Sequence, residues 1–260
     1  MPAESLDVLR AEVARVEDPN LLPLDLTYDS LDRLEDYFLL VLGGTVTADD
    51  GLATRMARYL GDTLIKNAGG CWEGAGDERV VARIPRVRKE GFDALGPILE
   101  FRRLRIPGAV RDLTVIWDVA QRRRELAAAT ADPDANLGSL REDIEALTGA
   151  DPGPLDDGTP AALAALEEAL KTLIIQKRTR EARRRVHTRA IVYIGALFLR
   201  GLGRGGWSVC ESPRDIDFGK FHAGDWAPLS AVRRVTPQQP AGLLQKNLET
   251  IIEARKAARR

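Results

Sequence analysis

Apolar side chains recur along this chain at intervals of three and four residues, switch briefly to alternation, and then do both again. Leu6, Leu9, Val13 and Val16 predict a short amphipathic helix ending before Asp18-Pro19-Asn20. Ser30 is placed to cap a second helix, with Leu31, Leu34, Phe38, Val41 and Leu42 on its apolar face and Gly43-Gly44 at its end. Asp49 or Asp50 caps a third, whose buried stripe is Leu52, Met56, Tyr59, Leu60 and Leu64 and whose stop is Gly69-Gly70. Gly61 lies inside that helix, where glycine costs about 1 kcal/mol relative to alanine, and so predicts close approach of another backbone. From Cys71 the period shortens. Trp72 opens a strand, residues 74–78 turn, and Arg79 to Ile84 form a second strand ended by Pro85. Ile98 to Ile106 alternates and predicts a third strand; Val110, Leu113, Ile116, Trp117 and Ala120 then carry a closing helix to about Ala129.

The pattern then starts again. Pro160 suits a first helical turn, and Leu163, Leu166, Leu170, Leu173 and Ile174 repeat the face of Leu31 to Leu42 at a distance of 132 residues. Tyr193 to Trp207, YIGALFLRGLGRGGW, repeats Tyr59 to Trp72, YLGDTLIKNAGGCW. The helix around Tyr193 buries Val186, Ala190, Ile194 and Leu197, Trp207 to Cys210 matches the first strand, and Asp225 to Val235 matches the third. Leu243, Leu244, Leu248, Ile251 and Ile252 make a final helix. The expected fold class is α+β, with two tandem pseudo-symmetric modules, each helix, helix, small antiparallel sheet, helix. Residues 1–27 are an N-terminal helical arm, 28–130 the first repeat and 160–260 the second. Between them, 131–159 is an acidic joint rich in proline and glycine, with one short helix at Ser139 to Leu147.

The pattern S-L-x-x-L-[DE], then Y-x-G, then G-G-x-W resembles a family of small bacterial domains of unknown function, in which an acid follows the glycine of Y-x-G. Ser30, Leu31, Leu34, Glu35, Tyr59, Gly61, Asp62, Gly69, Gly70 and Trp72 match it. Leu163, Leu166, Glu167, Tyr193, Gly195, Gly205, Gly206 and Trp207 match it in the second repeat, which departs at Ala196 where the acid would stand. The resemblance covers the core of each half and implies no particular chemistry.

Charge is distributed in blocks, although 38 basic and 39 acidic residues leave a net charge of −1. The first fifty residues and Asp132 to Glu168 are acidic. Lys177, Arg178, Arg180, Arg183, Arg184, Arg185 and Arg189 stand against the single acid Glu181. No apolar run approaches the roughly 20 residues that span a bilayer, and the amphipathic N-terminus is unlike a leader, so the expected setting is cytoplasmic without a membrane partner. His187 and His222 lack metal-ligand spacing, and Cys71 and Cys210 are expected as mostly buried free thiols, Cys210 half-buried on its strand, so no metal or cofactor is expected. The loop Gly201 to Gly206 follows a helix and precedes a strand, the reverse of a phosphate loop. Glu35, Asp36, Glu167 and Glu168 are assigned to solvated helix faces, Tyr59 and Tyr193 to the core with bonded hydroxyls, and Trp72 and Trp207 to core anchors.

These observations point first to a non-catalytic protein-interaction module, an adaptor or immunity-type inhibitor whose partner is another protein. It would bind at a groove between the repeats, with Asp62, Tyr59 and Tyr193 as candidate contacts, or on the basic helix. The alternatives are nucleic-acid or polyphosphate binding through residues 177–189, supported by Arg102, Arg103, Arg233 and Arg234 on the third strands, and an enzyme of unrecognised class.

Overall fold

In the computed structural model of the chain, residues 4–16, 24–74, 80–85, 87, 91–105, 108–153, 155, 158–176, 180–212, 215 and 217–258 are described. They form an α+β structure in two compact units, Met1–Arg122 with Glu211–Gly219, and Arg123–Cys210 with Lys220–Arg260.

The first unit is built on α3 (Leu52–Ala68), against which α1 (Glu4–Ala14), β2 (Val80–Ala82), α4 (Leu95–Leu104) and α5 (Ala109–Val115) all pack, while α2 (Ser30–Leu42) lies on α5. All five predicted stripe residues of α3 are buried, as are Leu9 and Val13 of α1, so the N-terminal helix belongs to the core. β1 (Cys71–Glu73) pairs antiparallel with β2 in the register Cys71↔Ala82, Trp72↔Val81 and Glu73↔Val80. Val81 bridges Phe92 on its other side, and there the sheet ends.

The second unit is built on α9 (Arg180–Leu202), which meets α7 (Pro133–Thr148), α8 (Pro160–Ile175), β4 (Phe221–Ala223), α10 (Leu229–Arg234) and α11 (Leu243–Ala257). α11 also packs on α8. β3 (Trp207–Val209) pairs antiparallel with β4, and Ala223 bridges Trp226.

Three expectations are corrected. The two predicted third strands are helices, α4 and α10. Ile98 and Phe101 are fully buried, three residues apart, while Leu99 between them is 49% exposed, which is a helical face and not a pleat. Pro97 sits in the first turn, where its missing N–H costs nothing, and Arg102 and Arg103 lie in the last turn, where they complement the helix dipole. The long closing helix is instead α5 followed by α6 (Val119–Thr130), broken where the buried Asp118 accepts from Gln121 N at 2.9 Å. The joint is no linker either. Asp132 caps α7 through Ala135 N, Pro133 starts it, Gly149 ends it at φ +72, and Leu140 and Ile144 are fully buried. Asp132, Pro133 and Gly149 are helix punctuation.

Residues 211–219, in the loop between β3 and β4, complete the first unit. Phe218 packs edge-on to Trp117 at 5.2 Å between ring centroids, and Gly219 O accepts from Arg122 Nε at 2.8 Å. Gly219 has φ +69, and a Cβ there would stand 2.5 Å from Ile116 Cβ. Phe218→Ala is therefore expected to destabilise the first unit by about 3 kcal/mol, although it lies in the second half of the chain. Amide exchange in α5 would rise before exchange in α8; equal protection of α5 in the wild type and the variant would refute this.

Candidate functional site

Among the described residues each unit buries one glutamate, and both serve the same purpose. Glu35 of α2 is fully buried and its carboxylate accepts from Gly108 N at 2.6 Å and Val110 N at 2.5 Å, the open amides at the start of α5. Glu167 of α8 is 2% exposed and accepts from Leu244 N at 3.1 Å at the start of α11, with Lys171 Nζ ion-paired 3.0 Å from its other oxygen. Gly108 and Gly242 precede these helices at φ +87 and +82, which lets the chain turn its amides onto the carboxylate. The assignment of these two glutamates to solvent is thus overturned, while Asp36 and Glu168 are exposed. A signal was available: Glu35 lies four residues from Leu31 and three before Phe38, within the apolar face itself.

Tyr59 and Tyr193 are buried with bonded hydroxyls, as expected. Tyr59 accepts from Leu26 N at 2.8 Å and shares a hydrogen bond with Ser30 Oγ; Tyr193 donates to Leu155 O at 2.8 Å. Ser30 is the first residue of α2 and not its cap. Burial pushes the Tyr59 phenol up, and burial with the nearby Glu12 carboxylate does the same at Tyr37. Both folded-state values lie above the unfolded one, so their contribution to stability is intact below about pH 10 and is lost as the pH rises further. In an alkaline absorbance titration, Tyr37 and Tyr59 should ionise only as the chain unfolds, and normal titration of both in the folded protein would contradict this.

Gly61 is explained by a side chain, not a backbone. A Cβ on it would lie 2.0 Å from the Trp72 indole, and one on Gly195 would lie 2.1 Å from Trp207. Both tryptophans are half-buried. Only the first is held by charge: Trp72 Nε1 donates to Asp62 at 2.7 Å, Arg58 Nε donates to the same carboxylate at 2.9 Å, and the guanidinium stands 5.3 Å from the Trp72 ring centre. Asp62 is therefore occupied in orienting Trp72.

The basic helix divides into two parts. Arg189 and Arg185 both bind Asp143 of α7, and Arg189 also donates to Ser139 O at 3.3 Å. Arg55 of α3 bonds Glu12 of α1 in the same manner, at 2.8 and 3.0 Å, so these arginines fasten one helix to the next. Towards the start of α9, Arg183 and Arg184 are half-buried, and the Arg183 Nε has no hydrogen-bond partner in the structure. The side chain of Arg185 is 49% exposed. Arg180 opens the helix, and Lys177 and Arg178 lie outside the described residues. Of the supporting arginines, Arg102, Arg103 and Arg234 are exposed at helix ends. Ile174 and Ile175, at the end of α8, are 42% and 65% exposed, against the expectation that Ile174 would be buried.

Cys210 is half-buried, as expected, while Cys71 is exposed, which corrects the expectation of a mostly buried thiol there. Among the described residues no group of three His, Cys, Asp or Glu side chains is arranged to hold a metal, and no helix is long and apolar enough to cross a membrane. No family model, curated protein or solved structure matches the chain.

Proposed function

We propose that the protein is a non-catalytic protein-interaction module of the adaptor or inhibitor kind, whose two units are repeats of one fold, and that recognition lies in what the second unit adds to it. Support for the repeat comes from inside the units: α7 packs on α9 as α1 does on α3, α11 on α8 as α5 does on α2, and α10 on α9 as α4 does on α3. The arm and the joint helix then become the first helix of each repeat. The observation that carries the functional reading is a difference between the copies. Val186 occupies the place of Leu52, the first residue of α3, yet α9 begins six residues earlier at Arg180. The added turns are Arg180, Glu181, Ala182, Arg183, Arg184 and Arg185. The first unit forms its core without such turns, so the fold does not require them, apart from Arg185, which also meets Asp143 of α7. Concentrating cations at a helix N-terminus also opposes the helix dipole, which favours a role towards an anionic partner.

Affinity capture on the full chain, with nuclease treatment, compares the wild type with the triple variant Arg183→Glu, Arg184→Glu, Arg185→Glu. A nuclease-resistant protein partner lost in the variant is expected. Recovery of nucleic acid alone, with affinity falling steeply as salt rises, would replace this reading by the polyphosphate one.

A further inference from the structure

We infer that the end of α8 and the added turns of α9 form one docking surface, and that its occupant is an acidic protein segment presenting an apolar side chain. The inference rests on the module reading above and specifies its site. Exposed apolar side chains are rare here: among the described residues four large ones are exposed, Val8, Leu99, Ile174 and Ile175, and two of these are consecutive. Neighbours on a helix point about 100° apart, so exposure of both opens a wide apolar arc to solvent at the last turn of α8. At the matching place in the first unit stand Leu42, half-buried, and Gly43, so the fold needs no exposed isoleucine here.

Only residues 176–179 separate this tip from Arg180, which places the isoleucines and the added arginines at adjoining helix ends. The cations there include Arg183, half-buried with its Nε enclosed, and Arg185, whose side chain is about half exposed while it pairs with Asp143 at 3.3 Å. An anionic surface complements this charge, and the isoleucines decide its chemistry. A phosphate backbone gains nothing from covering Ile174 and Ile175, whereas an amphipathic acidic segment covers them with its apolar face while its carboxylates meet the guanidinium groups.

The test is fluorescence anisotropy on the full chain with three labelled probes: a helical peptide of about 16 residues alternating Glu and Leu faces, a Glu/Ser peptide of equal charge, and a short DNA duplex. The amphipathic peptide is expected to bind about tenfold tighter than the Glu/Ser peptide. Ile175→Ser, a change at an exposed position, should abolish that difference, Arg183→Glu should weaken both peptides, and Leu99→Ser on the other unit should leave all values unchanged. Equal binding of the two peptides, indifference to Ile175→Ser, absence of peptide binding, or tightest binding of the duplex would each overturn the inference. A captured protein still held by Ile175→Ser removes this surface but leaves the module reading standing; failure to capture any nuclease-resistant protein removes the module reading itself.

Discussion

Replacing Glu35 with alanine is expected to destabilise the first unit by about 3–5 kcal/mol, among the largest effects available to a single substitution outside the aliphatic core. Glu35 is fully buried and its carboxylate satisfies two amides at the start of α5. Its removal leaves both donors without water or a partner, and it also takes negative charge from the positive end of a helix. Chemical denaturation monitored by circular dichroism measures the loss. Glu35→Gln keeps one amide oxygen as acceptor but places an N–H₂ donor beside two N–H donors, so it should recover only part of the stability. A loss below about 0.5 kcal/mol for the alanine variant would mean that the amides find other acceptors. Glu167→Ala should act in the same direction and less strongly, since one amide and Lys171 depend on it.

Gly61→Ala is the second large effect, and here local propensity and tertiary packing predict opposite signs. Alanine in a helix interior gains about 1 kcal/mol over glycine. The added methyl, however, would lie 2.0 Å from Trp72, a distance no arrangement tolerates, so the indole must leave α3. With it go the Trp72 bond to Asp62 and the stacked Arg58. A net loss of about 3 kcal/mol is expected, with tryptophan fluorescence shifting to the red. Gly195→Ala should behave alike against Trp207, but without the charged partners. Stabilisation by either substitution would show that the tryptophan moves aside freely.

Helical faces were legible in the longer helices of both units. The five positions that spacing selects in α3 are all buried, with Gly61 and Thr63 beside them, and the faces of α2, α8 and α9 follow the same rule except that Val41 and Leu42 are half-buried and Ile174 is exposed. The hairpin positions were legible too, because tryptophan and β-branched residues between glycines have few alternatives. α4 misled because Ile98, Phe101 and Leu104 satisfy a helical face while the intervening residues also alternate, and short apolar runs carry no length signal to arbitrate. Of the candidate site, the arginine run was visible as composition. Its division into fastening and added residues was not, since that depends on where Asp143 of α7 and the start of α9 come to rest.

By itself the sequence determined the period of each element, the face it buries and the recurrence of one pattern, since these depend on neighbours within about a turn or two. The tertiary structure alone decided which polar groups are consumed. Glu35 finds its amides 73 and 75 residues away, Tyr28 finds Asp118 90 residues away, and Phe218 joins a core formed by the other end of the chain. Hydrogen-bond partners and late-joining core residues are set by chain closure over such distances, which no local period encodes, so a buried acid and a solvated one look alike until the chain has folded.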